Sequence, residues 1–162
     1  MRISLLWVGS IFYLLSLVQN SKDFYSRGIE KSDSNNCQGA IEDFTRAIKL
    51  NPDHDLAYFN RAIEKTHLKD HAGAVKDFTR SLEIKPTSSA FYGRAKSQEI
   101  LENYEEAIKD YTQAIELDPN DISSYFDRGI IRLIVGDKTS GRKDIRKARE
   151  LAACEIYVHN DH

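Results

Sequence analysis

The sequence predicts an all-α fold built as an array of stacked helix-turn-helix units, and three observations predict it. The segment Ala107 to Pro119, AIKDYTQAIELDP, places Ala107, Ile108, Tyr111, Ala114 and Ile115 at i, i+1, i+4, i+7 and i+8, one face of a helix that Pro119 closes. The same sentence stands at Ala40 to Pro52, AIEDFTRAIKLNP, and at Ala74 to Pro86, AVKDFTRSLEIKP, spaced by 34 and then 33 residues. A period of that length marks stacked units, each too small to bury its apolar face alone. Only three prolines and eight glycines interrupt 162 residues, so helices have few forced breaks.

Taken in order, residues 3–18, ISLLWVGSIFYLLSLV, carry no charge and are apolar all round behind Arg2. That is the layout of a secretory signal or a signal-anchor. The run is shorter than the roughly 20 residues of a spanning helix, and no small-x-small cleavage site follows it. Residues 1–20 are therefore expected to be a signal peptide or N-terminal signal-anchor, with the protein exported or membrane-associated through residues 3–18. The alternative is a cytoplasmic chain whose first helix caps the array.

From Ser21 the units follow without linkers. Their helices are expected at 22–33 and 37–50, 55–67 and 71–84, 88–101 and 104–117, and 122–135 and 138–153. Unit boundaries fall at 21–54, 55–87, 88–121 and 122–153, with a C-terminal tail over 154–162 that is either a frayed helix extension or loose. Ser34-Asn35-Asn36 and Gly136-Asp137 supply hairpin turns, while Asn51-Pro52-Asp53 and Asp118-Pro119-Asn120 separate units. Proline there removes an N–H and disfavours helix in the residue before it, and Asp or Asn can cap the next helix. The fourth unit is degenerate: Ile145 stands where the others have Phe44, Phe78 and Tyr111, Gly141 replaces an alanine, and the closing proline is missing.

The columns resemble the tetratricopeptide repeat over residues 21–153. An early aromatic, Phe24, Tyr58, Phe91 or Tyr125, is followed four residues later by Gly28, Ala62, Ala95 or Gly129. The second helix supplies Ala40, Ala74, Ala107 or Gly141, then the aromatic position, then Ala47, Ser81, Ala114 or Ala148. The resemblance implies a right-handed α-solenoid whose first helices line a concave groove. It also implies a non-catalytic protein-protein interaction module that takes a protein or peptide there. The groove would be lined by Tyr25, Ile29, Phe59, Ile63, Tyr92, Lys96, Phe126 and Ile130, the alternative for the aromatic column being that part of it packs against neighbouring helices. With Ile100 and Ile134, its aliphatic residues would make a larger apolar patch than a monomer usually exposes. The carboxylate clamp of some family members is not reproduced: only Asn60 matches, while Tyr25, Ile29, Ser89 and Gly93 fill the other places. The register shifted by one unit fails in the same way, at Phe59, Ile63, Ser123 and Asp127.

One departure from the family concerns Arg27, Arg61, Arg94 and Arg128, which stand where leucine is common. Sixteen residues later each unit has an aspartate: Asp43, Asp77, Asp110 and Asp144. Each hairpin centre lies midway between its Arg and Asp, so the spacing predicts one ion pair per unit across the antiparallel helices.

Composition narrows the function classes. Net charge is −2, which argues against general nucleic-acid binding. Residues 122–152 nevertheless hold eight Lys or Arg against four Asp or Glu, among them Arg142, Lys143, Arg146, Lys147 and Arg149. This cluster is expected as the solvated face of a terminal helix, a docking site for an acidic partner or lipid headgroup being the alternative. Cys37 and Cys154 belong to opposite ends of the array, about 30 Å apart at helix spacings of about 8–10 Å, so no disulfide joins them. No catalytic motif, cofactor loop or metal-binding pattern is found. His67 and His71 are split by a hairpin, and His159, Asp161 and His162 lie in the tail. Self-association as a structural or assembly scaffold is the alternative function, and an accessory subunit of an enzyme or membrane complex the second alternative.

Overall fold

Helices form wherever the period demands them, but two run longer than the expected spans. The computed structural model of the chain describes the backbone of residues 5–160 and the side chains of residues 19–154. The side chains of the expected export segment, and those of His159, Asp161 and His162, lie outside the described residues. Eight helices are present among the described residues: α1 (Leu5–Asp33), α2 (Cys37–Leu50), α3 (Asp55–His67), α4 (His71–Ile84), α5 (Ser88–Ile100), α6 (Tyr104–Leu117), α7 (Ile122–Ile134) and α8 (Lys138–Asn160). Six match the expected spans to within a residue. Helix α1 does not begin at residue 22, because Gln19 to Asp23 contains no Pro or Gly and Ser21 does not act as a cap. Its buried hydroxyl instead donates at 2.9 Å to the Ala47 carbonyl, which also accepts the Asn51 N–H at the end of α2. Helix α8 likewise passes Ala153, since nothing after Gly141 breaks it.

The chain folds as two compact units, one up to Ile84 and one from Lys85 onward. In the first, α1 packs on α2, α2 on α3 and α3 on α4. Its core is made of Ala40, Phe44, Ala47, Ala57, Ala62, Ala74 and Phe78. The alanines let the backbones approach while the two phenylalanines fill the space left over. At Gly28 a Cβ would fall 2.6 Å from the Phe44 ring, so glycine is what lets that ring seat.

In the second unit the order is α5 on α6, α6 on α7 and α7 on α8. Ala95, Ala107, Tyr111 and Ile131 form its core, with Tyr92, Tyr104 and Ile108 packed against them. Gly129 and Gly141 oppose each other across α7 and α8. A Cβ on either would stand 3.0 or 2.8 Å from the other's carbonyl oxygen. The glycines that make the fourth repeat look degenerate therefore permit its closest helix approach.

Each repeat's hairpin is closed by one residue with positive φ: Asn35 (58°), Lys69 (67°), Glu102 (61°) and Gly136 (93°). The next N–H reaches back five residues in three of them, Asn36 to Lys31, Asp70 to Lys65 and Asn103 to Gln98, at 2.8–2.9 Å. That bond satisfies a carbonyl the helix end would otherwise orphan. Asn36 and Asp70 then accept from the N–H of Gly39 and Gly73, starting the second helix without a gap.

Candidate functional site

The antiparallel hairpin brings position n level with position n+16, and every repeat places the same pair there. Arg27 Nε donates to Asp43 at 2.6 Å, Arg61 Nε to Asp77 at 2.8 Å, Arg94 Nε to Asp110 at 2.7 Å and Arg128 Nε to Asp144 at 2.8 Å. A second guanidinium nitrogen bonds the other carboxylate oxygen in each case, so all four bridges are bidentate. All four aspartates are buried, and the arginine, chiefly, holds the Asp43 carboxyl well below the usual carboxylate range.

Three further partners of this ladder are not evident from the sequence. The early aromatic lies three residues before each arginine, and its ring lies under the guanidinium: Phe24 at 4.8 Å, Tyr58 at 5.5 Å, Phe91 and Tyr125 at 5.6 Å. A second cation four residues after the arginine reaches the same aspartate, Lys31 on Asp43 at 2.7 Å, Lys65 on Asp77 at 2.8 Å and Arg132 on Asp144 at 2.7 Å. The third repeat has Gln98 in that column. Arg61 and Arg128 also donate to the threonine hydroxyl of the preceding repeat, Thr45 at 3.0 Å and Thr112 at 2.9 Å. The i+3 and i+4 spacings are present in the sequence; what conceals them is that they read as ordinary surface helix charge.

The eight residues expected to line a groove divide into packed and open ones. In the unit up to Ile84, Tyr25 stacks on Phe44 and His54, and its hydroxyl accepts from Asn60 at 2.9 Å. Phe59 meets Phe78 edge-on at 5.7 Å, and Ile29 and Ile63 are half-buried. In the unit from Lys85, Tyr92 packs on Tyr111 and donates to Asp127 at 3.0 Å, while Lys96 pairs with Glu99 at 2.9 Å and Asp127 at 3.5 Å. Burial and the neighbouring Asp127 push the Tyr92 hydroxyl well above its ordinary pKa. Tyr111, fully buried, donates to Glu99 at 2.7 Å.

Three of the four aromatics are thus tied to their own unit, and Phe126 is the one left open. It is 47% exposed, Ile100 56% and Ile134 58%, with Ile130 half-buried between Phe126 and Ile134. Phe126, Ile130 and Ile134 stand at i, i+4 and i+8 on α7. Tyr92, Lys96 and Ile100 stand at the same offsets on α5.

His67 ends α3 and His71 opens α4, with Lys69 turning the chain between them. Asn60, the lone match to the clamp, is engaged by Tyr25. Cys37 and Cys154 are free thiols. A side-chain hydrogen bond with the Glu64 carboxylate, then partial burial, pushes the Cys37 thiol's pKa up. Of the basic cluster, Lys143, Arg146 and Lys147 line a cleft of about 490 Å³ together with Arg128, Arg132 and Asp144. Among the described residues, no helix is long and apolar enough to cross a membrane.

The fold and the repeating side-chain ladder define a helix-turn-helix repeat protein. Family models of the tetratricopeptide repeat match residues 25–89, 88–121 and 110–143, and the chain belongs to the tetratricopeptide-repeat family. No curated protein matches it in sequence. Among solved structures, MamA superposes with a TM-score of 0.83 at 19% identity, over 85% of this chain and 81% of MamA. The first TPR of Spaghetti (RPAP3), bound to the HSP90 peptide SRMEEVD, gives 0.71 at 24% identity, over 73% of this chain and 94% of that one. The Arabidopsis OM64 TPR domain gives 0.70 at 25% identity, over 72% and 98%. All three share the fold.

Proposed function

We propose that the chain is a non-catalytic protein-interaction module that binds a peptide or helix on the face of its first helices. The observation that carries this is the exposed apolar stripe of Ile100, Phe126 and Ile134 on α5 and α7, flanked by the charges of Lys96, Glu99 and Asp127. An amphipathic helix or extended segment would cover the apolar side chains, and the charges would set its orientation and rate of encounter. Family membership supports the reading in general terms, and the RPAP3 domain holds a peptide on the same fold. That peptide ends in acidic residues, whereas this chain lacks the clamp residues apart from Asn60, so its ligand is of another, more apolar kind. In the unit up to Ile84, the corresponding residues Tyr25, Ile29, Phe59 and Ile63 are half-buried, so they offer a partner less apolar surface.

The deciding experiment is capture from native extract with the parent chain and with Phe126→Glu/Ile134→Glu, both matched in helicity and melting. Both positions are exposed, so the variant keeps its core. A partner retained by the parent and lost by the variant supports the reading. Identical capture by both removes the stripe from it. Self-association is the competing use of the same residues, and a sedimentation mass that rises with concentration in the parent and not in the variant would select it. Residues 3–18 are further proposed to direct the chain to export or to a membrane; a full-length chain found only in the soluble cytoplasmic fraction would overturn that.

A further inference from the structure

We propose that Cys37, Glu64 and His67 form a site for a divalent cation of the zinc class, clipping the first repeat to the second. Cys37 opens α2, and Glu64 and His67 lie in the last turn of α3. One ligand atom from each, a sulfur, an oxygen and a nitrogen, lies within 4.8 Å of both others. That donor set suits zinc, which takes three protein ligands and keeps a fourth place for water. Zinc bond lengths of about 2.0–2.3 Å put ligand atoms roughly 3.2–3.7 Å apart, so the trio must close by about 1 Å. His67, whose side chain is 60% exposed, is free to make that movement. The thiol gives up its proton to solvent as the metal binds.

The second observation is Glu64 itself. It is 2% exposed, yet its Oε2 has no hydrogen-bond partner among the described residues. His67 Nδ1, at 3.8 Å, is too far to donate. Every other buried carboxylate among the described residues meets a guanidinium, whereas Glu64 has none and faces the Cys37 thiol and, at 3.8 Å, the His67 ring. Ser32 Oγ donates to the other oxygen, Oε1, at 2.6 Å, which fixes the carboxylate and aims Oε2.

The repeat itself does not ask for these residues. The Glu64 column reads Glu30, Glu64, Ser97 and Ile131; the Cys37 column reads Cys37, His71, Tyr104 and Lys138; the His67 column reads Asp33, His67, Ile100 and Ile134. Only at this junction do three ligand-type side chains coincide, so packing of the array does not account for them.

The test uses the full chain, reduced, stripped of metal and free of a histidine tag, titrated with cobalt(II) as a spectroscopic stand-in for zinc. The expected result is one cobalt per chain, with a thiolate-to-cobalt charge-transfer band that added zinc abolishes. Cys37→Ser should remove the band, and Cys154→Ser and His159→Gln/His162→Gln should leave it. Glu64→Gln and His67→Gln should weaken binding by more than the roughly 10–100-fold that loss of an outer hydrogen-bond partner costs. Zinc should raise the melting temperature of the parent and not that of His67→Gln, a change at an exposed position that leaves the core intact. Absence of the band, its survival in Cys37→Ser, or its loss in Cys154→Ser would each overturn the site.

Discussion

At the residue level the Arg–Asp pairs decide how the helices of a repeat meet, and their value depends on what else each aspartate touches. Asp110 is buried and meets Arg94, with Gln98 where the other repeats have a second cation. Arg94→Leu therefore strands a buried carboxylate, and urea unfolding should show a loss of about 3–5 kcal/mol. Arg27→Leu should cost less than half of that, because Lys31 and Arg46 still reach Asp43 and Arg27 itself is exposed. Equal losses would mean that the second cation contributes nothing. The same geometry sets an acid dependence. Because Asp43 is depressed below its ordinary value, the unfolded chain binds its proton more readily, and stability rises with pH across that range. Its contribution should be complete above about pH 5 and fall away as pH drops through 4 towards the folded value. Asp43→Asn should flatten the slope of unfolding free energy against pH in that window; an unchanged slope would assign acid sensitivity to other carboxylates.

At the scale of the element, helix spans were legible because proline, Asn and Asp punctuate a strict period. The expected start at residue 22 is wrong for α1, which runs unbroken from Leu5, whereas the helix extension allowed beyond Ala153 is present in α8. Ser21 lies inside α1 with its hydroxyl on the Ala47 carbonyl, a contact 26 residues away that no local rule contains. The hairpins hold a related cost. Lys69 and Glu102 occupy the left-handed region that glycine and asparagine take in the other repeats. A side chain there costs about 1–2 kcal/mol, and glycine returns part of that as chain entropy. Lys69→Gly and Glu102→Gly should each stabilise by roughly 0.5–1 kcal/mol in urea unfolding. Gly28→Ala should do the opposite, by about 1–3 kcal/mol, since its Cβ would meet the rim of the Phe44 ring.

For the molecule as a whole, the period announced the architecture, while the candidate surface was only half visible. Tyr25, Phe59 and Tyr92 share a column with Phe126, and sequence cannot show that the first three are held by Phe44, Phe78 and Tyr111. The difference comes from the array's linear logic, in which each helix pair is stabilised by its neighbours. In the unit from Lys85, α6 packs against both α5 and α7, whereas α8 packs chiefly against α7. Local opening should follow that imbalance. Amides of α8 between Gly141 and Leu151 should exchange faster than those of α6 between Ala107 and Ile115, although both spans pack on the inner face of their repeat. Hydrogen exchange at low protein concentration checks this directly. Should α8 prove as protected as α6, and lose that protection on dilution, its exposed cations and the cleft beside them would be covered by a second copy. That outcome would favour assembly over peptide capture as the use of this array. Fast exchange in α8 at all concentrations would leave the α5 and α7 stripe as the surface on which a partner must act.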